Sequence, residues 1–357
     1  MSCCPVPRVF PLRQPTNYRP PVPRWQLKLP VGIDQVFTIY TGIQRHTSDP
    51  QTWAAFADAD REIEEWIRDV PPLAHESFIV EEGDDRPGCK VRVCYYTDVD
   101  DYDRGTQHLS LARIYQVLET SRESIGLWCE HFSTAVSRLE TNYSGLDYRP
   151  GLGRILGTEL VEHSYSAYWG AARDRIPDSG HDMFMPPAEA VAAFPDPAPK
   201  GLGCRYIGSN YENMVHIRSG QFWGKCEEPE RNSYETRLEP ALKKGLEYLW
   251  ANPTFTGTAG LRFLRSRDDD GLPLKETCGA GFFRNLEDLE RWAETHPSHK
   301  QIYLGAIKHA KTFGESRMMR TWHEVSVLKA GEAHFEYLNC QPRTGVMAAV
   351  LLKSKPL

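Results

Sequence analysis

The stretch ERWAETHPSHKQIY, Glu290 to Tyr303, carries two histidines three residues apart with a proline between them. Histidines at i and i+3 share a helix face and could together hold a metal. Pro297 interrupts such a helix and favours a fresh start, because proline is tolerated in a first turn. Helical periodicity carries Leu289, Trp292 and His296 along one face, and Ser298 and His299 then fall in the next first turn. A helix N-terminus disfavours imidazolium and keeps a histidine neutral, the state that binds metal. On this reasoning His299 is the better ligand and His296 packs or buttresses, although the choice between them stays open on sequence alone.

Two histidines without a third ligand make a poor zinc site. One is enough for a haem, whose porphyrin supplies four ligands. Other segments could complete such a centre. In MVHIRSGQFW the alternation of a strand places Val215, Ile217 and Ser219 on one side, opposite Met214, His216 and Arg218. Ser219 therefore continues an apolar face, either bonded to backbone or aimed as a donor into a pocket. In WHEVSV, His323, Val325 and Val327 share a face, so His323 is either a satisfied core residue or a pocket acid/base. YWGAARDRIP sets Arg173 and Arg175 in a loop-like context. They pair with Asp174 or Asp178 at the surface, or face an anionic group such as a propionate or a polar substrate.

Several chemistries are excluded. GLGRILG, Gly151 to Gly157, is spaced GxGxxxG with no clear strand before it, and reads as a loop. No GxxxxGK[ST], HExxH or GxSxG occurs, which argues against a P-loop enzyme, a zincin and an α/β-hydrolase. The nine cysteines form no CxxC or CxxCH, so a cysteine-rich zinc site, a dithiol centre and c-type haem attachment are all disfavoured. Scattered thiols suit a reducing, cytoplasmic setting. The formal net charge of −6 comes without basic blocks, which argues against nucleic-acid and membrane-surface partners. The opening MSCCPVPRVFPLRQP lacks the apolar run of a signal peptide, no later stretch is long enough to span a bilayer, and Ser2 breaks the myristoylation pattern.

The elements that must position these residues form an α+β pattern. Residues 1–32 are proline-rich and read as an extended arm over the body, with a disordered tail as the alternative for residues 1–15. QVFTIYTGIQ and KVRVCYYTD read as strands, TWAAFADADREIEEWIRDV as a helix with Trp53, Phe56, Ile63 and Trp66 near one face, and LSLARIYQVLETS and IGLWCEHFSTAVSRLE as helices. In the later half MVHIRSGQFW reads as a strand, and YETRLEPALKKGLEYLWA and NLEDLERWAETH as helices. GLRFLRSRDDDGLPLKETCGAGFF and WHEVSVLKAGEAHFEYLNC read as hairpins. Strand, helix, two strands, helix, strand, twice over, predicts two ferredoxin-like halves at 33–200 and 201–357, with sheets face to face and helices outside. Residues 150–200, rich in Gly, Pro and Ala, link the halves and cover something.

Taken in order, YWGAARDRIP, IRSGQFW, ERWAETHPSH, WHEVSV and FEYLNCQPRTG resemble the haem-containing aldoxime dehydratases, the phenylacetaldoxime dehydratase family, as do NYRPPVPRW and LETNYSGL. The resemblance runs from about residue 17 to 347. It implies a dimeric α+β barrel with one b-type haem per chain. It also implies a lyase that turns R–CH=N–OH into R–C≡N and water, with the oxime nitrogen bound to ferrous iron. Carried over by motif, His299 is the axial ligand and His323 the distal acid. Ser219 hydrogen-bonds the oxime hydroxyl, and Arg175 and Glu140 belong to the surrounding polar network. One departure is EHSYSAYWG, where Ser166 stands nearer the place at which the family carries a histidine, and His163 lies upstream with no role assigned. A peroxidase of the same fold would carry a GxxDG motif, which is absent. A haem carrier or gas sensor would not need the polar set His323, Ser219 and Arg175.

Overall fold

The computed structural model describes residues 7–187 and 198–357. Among these, fourteen strands join in one mixed-order antiparallel sheet. The strands are β1 Arg24–Lys28, β2 Gln35–Arg45, β3 Ala74–Gly83, β4 Lys90–Tyr96, β5 Ile125–Ala135, β6 Leu139–Tyr143 and β7 Glu159–His163. The second set is β8 Cys204–Ser209, β9 Met214–Phe222, β10 Thr258–Arg267, β11 Pro273–Phe283, β12 Arg320–Leu328, β13 Ala333–Leu338 and β14 Lys353–Pro356. Their order across the sheet is β14-β8-β13-β5-β2-β4-β3-β10-β11-β9-β12-β6-β1-β7. Within it β5-β2-β4-β3 and β12-β9-β11-β10 repeat one order, and β3 pairs with β10 at the seam. At that seam Gly83 sits at φ 119°, and a Cβ there would come within 2.3 Å of the Leu261 carbonyl oxygen, so glycine alone fits.

The helices form where caps and apolar spacing coincide. Helix α1, Pro50–Asp69, starts with Asp49 accepting from the Thr52 amide and Pro50 in the first turn. It buries Ala55, Ala59, Ile63 and Trp66 against Phe37, Ile39 and Ile43 of β2. Trp53, expected near that face, is 48% exposed and lies under the Arg45 guanidinium at 3.4 Å. In the second half, α2 is Glu239–Ala251, α3 Leu286–Thr295 and α4 Pro297–Phe313. Leu286 and Leu289 of α3 join Leu246 and Leu249 of α2 against Val215, Val325 and Val327.

Between the halves the opposite sheet faces meet. Tyr40 of β2 lies 5.2 Å from His216 of β9, and Phe132 of β5 lies 6.0 Å from Phe282 of β11. Charged pairs are buried there too, with Arg218 on Glu76 at 2.6 Å and Arg262 on Glu130 at 2.6 Å. Each cation has its carboxylate, as burial requires.

Three expectations are corrected. IGLWCEHFSTA is strand β5, not helix. Trp128 and Phe132 face the core between the halves while Ile125, Leu127 and Cys129 face the helices, so both sides are apolar and strand alternation is masked. WHEVSV and AHFEYL do not form a hairpin. β12 is flanked by β9 and β6, and β13 pairs with β5 and β8. Residues 1–6 of the arm lie outside the described residues; residues 7–23 lie along the body, with Arg13 and Gln14 donating to Asp174, but after Pro23 the segment Arg24–Lys28 enters the sheet between β6 and β7. Of the described helices, none is long and apolar enough to cross a membrane.

Candidate active site

The helix-facing side of the second half encloses a cavity of about 680 Å³. Its sheet wall is β9 and β12, with Ile217, Ser219, His323 and Val325. Leu242 and Leu246 of α2, Trp292 of α3 and Ile302 of α4 form an apolar helix wall. The loop from Ser166 to Arg175 closes one side, as the Gly/Pro/Ala-rich linker was expected to do.

His299 stands in the first turn of α4 and lines the cavity. Burial lowers its pKa, opposed by a ring N–H donated to the Ala293 carbonyl, with nearby His323 lowering it further. A lowered pKa favours the neutral ring, the form that can bind a metal. Trp292 holds the ring edge-on at 4.8 Å. His296 has a different position. It caps α4, its Nδ1 accepting from the Ser298 amide at 3.3 Å, and its ring stacks on Tyr248 at 3.7 Å. It is not among the cavity-lining residues.

On the sheet wall, His323 and Ser219 are direct register partners of β12 and β9. The Ser219 hydroxyl has no hydrogen-bond partner among the described residues, so it is free to bind a ligand in the cavity. Behind His323, its Nδ1 lies 3.1 Å from Oε1 of the fully buried Glu140 on β6. Arg175 also binds Glu140, its Nε 2.5 Å from Oε1, and donates to the Tyr165 carbonyl. Burial opposes charge on Glu140, but Arg175 and then His323 outweigh it and hold the carboxyl at about 2.

The two arginines of ARDR part company. Arg173 forms a buried pair with Glu290 at 2.7 Å, not a surface pair with Asp174 or Asp178. Asp174 instead accepts from the backbone of Arg13 and Gln14 at 3.0 and 2.9 Å, which ties the N-terminal arm to the site loop.

Asn142 and His163 complete the distal cluster, and neither carries a role in the sequence reading. Asn142 lies 3.1 Å from His323 and 3.1 Å from His163. As strand residues i and i+2, Glu140 and Asn142 share a face.

The family model described as haem-containing dehydratase matches residues 39–346. The chain belongs to that family. This haem-containing dehydratase is 31% identical to the aliphatic aldoxime dehydratase of Pseudomonas chlororaphis, over 96% of the chain and 95% of the relative. It is 27% identical to the phenylacetaldoxime dehydratase of Bacillus sp. strain OxB-1, over 93% of each. Its structure matches a crystal structure of an aldoxime dehydratase with butyraldoxime at TM-score 0.82 and 29% identity, covering 97% of this chain and 94% of that one.

The dehydratase's own residues fit a haem. The cavity is apolar, burial lowers the pKa of its half-buried His299, and Trp292 Nε1 and Ser166 Oγ are buried at its wall without hydrogen-bond partners among the described residues. Arg24 also lines it, with no carboxylate in ion-pair contact among the described residues. Burial, Arg317 and Arg175 lower its pKa to about 10, so an anion beside it would be favoured.

Proposed function

We propose that this chain is an aldoxime dehydratase, a lyase that converts R–CH=N–OH to R–C≡N and water. The supporting observation is that one apolar cavity is lined by His299 from a helix N-terminus and by His323 with Ser219 from the facing sheet. His299 would hold the iron of a b-type haem, and Arg24 would meet a propionate. When bound, haem supplies electron density to the N–O bond as it breaks.

The remaining work falls to the chain. Hydroxide is a poor leaving group, so a proton must reach the oxime oxygen. Ser219 orients the N–OH group before that transfer. His323 gives the proton to the leaving oxygen, the N–O bond breaks, and neutral His323 takes the C–H proton as the nitrile forms. The proton balance of His323 closes with each turnover. Glu140 contacts His323 Nδ1 and orients its ring, and Arg175 holds Glu140 ionised and in place.

We read 33–200 and 201–357 as ferredoxin-like halves behind an arm at 1–32, a reading supported by the repeated strand order. The resemblance supports a homodimer, and seven unpaired cysteines among the described residues support a cytoplasmic setting. The test is to express the chain with haem supply, reduce it and assay an aldoxime for nitrile by chromatography. A Soret band with nitrile formation is expected, and a chain that takes up no haem would overturn the reading.

A further inference from the structure

We propose that Asn142, oriented by His163, is a positioning residue that selects the protonation state of His323; the catalytic significance rests on the aldoxime-dehydratase reading. The observation is a run of four hydrogen bonds. The Tyr165 backbone N–H donates to His163 Nδ1 at 3.1 Å. His163 Nε2 lies 3.1 Å from Asn142 Oδ1, and Asn142 Nδ2 lies 3.1 Å from His323 Nε2. His323 Nδ1 then meets Glu140 at 3.1 Å.

Both ends of this run have fixed polarity. A backbone N–H can only donate, and an ionised carboxylate can only accept. Each interior group then has one consistent assignment. His163 is neutral and carries its proton on Nε2. Asn142 turns its carbonyl to His163 and its NH₂ to His323. His323 carries its proton on Nδ1, and its Nε2 lone pair is occupied by the Asn142 amide. This is the base form of His323.

The acid form needs a second proton, on Nε2. That N–H would face the Asn142 NH₂, donor against donor. The amide must rotate to present Oδ1, and its NH₂ then meets the N–H of His163. His163 cannot yield by moving its proton to Nδ1, because Tyr165 donates there. So His163 biases Asn142 toward the base form of His323, and turning the amide accompanies the change to the acid form. The catalytic cycle uses both forms, and with Nδ1 held by Glu140, Nε2 must part from Asn142 to exchange its proton with the oxime.

The charges around the relay agree with a neutral His163. Burial lowers its pKa to about 4, and Arg175, Arg24 on β1 and His323 act in the same direction against Glu140. Glu140, His163 and His299 each interact electrostatically with His323, and Arg175 and Arg24 line the same cavity.

The test uses haem-loaded protein with ¹⁵N-labelled histidine, reduced and kept diamagnetic with carbon monoxide. The His323 signal is identified by its loss in His323→Gln. In the unaltered chain the neutral ring should be the Nδ1–H tautomer. His163→Gln and His163→Phe free the amide to turn, so the His323 midpoint should rise by about one pH unit. Asn142→Asp should raise it by about one unit or more, through a carboxylate beside Nε2. The pH profile of kcat/KM should move with the midpoint while haem content stays unchanged. An Nε2–H tautomer in the unaltered chain, or a midpoint unmoved in the folded His163 variants, would overturn the proposal. Shifted titrations in a chain that forms no nitrile would leave the relay standing and sink the dehydratase reading. Nitrile formation with unmoved titrations would do the reverse.

Discussion

His323 and Ser219 face each other across neighbouring antiparallel strands, as direct register partners of β12 and β9. Their side chains therefore leave the sheet on one face, at the spacing of a cross-strand pair. An imidazole and a hydroxyl are fixed side by side by backbone pairing. Ser219→Ala should keep haem and slow nitrile formation by about 10- to 100-fold, the range expected for one hydrogen bond to a polar reacting group. Unchanged turnover with an unchanged spectrum would show that Ser219 does not orient the substrate.

The histidines of HPSH should separate cleanly. His299→Ala is expected to lose the haem. His296→Ala should keep it and cost about 1 kcal/mol of stability, because it removes a helix cap and not a ligand. Haem content by absorbance and chemical denaturation measure the two effects. Loss of haem in His296→Ala with retention in His299→Ala would reverse the assignment.

Glu140 links the site to acid stability. Its carboxyl is held at about 2 in the folded chain, below the ordinary 4.5. A carboxyl with a depressed folded pKa stabilises the fold above its unfolded value, and that contribution is lost as pH falls toward the folded value. Stability should therefore drop between about pH 4.5 and 2. Glu140→Gln should remove that part of the pH dependence and cost about 3–5 kcal/mol at neutral pH, since Arg175 is left buried without its anion. Denaturation curves at several pH values would show whether the slope flattens.

Arg24 offers a check on the mouth of the cavity. Arg24→Gln should speed haem loss to an acceptor globin, measured by the change in the Soret band. Equal transfer rates would remove Arg24 from the propionate contact.

How legible the molecule was depended on exposure. His323 and Ser219 stood out because each continues an apolar strand face, and their β12 and β9 strands keep those faces in the structure. His299 stood out because Pro297 restarts the helix beneath it. β5 was misread because it is covered on both sides, so no polar alternation marks it. The expected hairpin of β12 with β13 failed because β12 already has β9 and β6 on its two edges, which sends β13 across to β5. Arg173 and Arg175 are indistinguishable in ARDR, and only folding gives them Glu290 and Glu140 as partners. Asn142 lies in a strand whose five residues are all buried, so no periodicity sets it apart.

The account turns on His323 moving a proton in a cavity whose iron ligand is His299. The most direct measurement is single-turnover nitrile formation by dithionite-reduced, haem-loaded His323→Ala beside the unaltered chain, with an aldoxime and chromatographic detection. The account predicts an intact Soret band in both, nitrile from the unaltered chain, and a loss of at least about 100-fold in the variant. Nitrile formed at the same rate by both would contradict it.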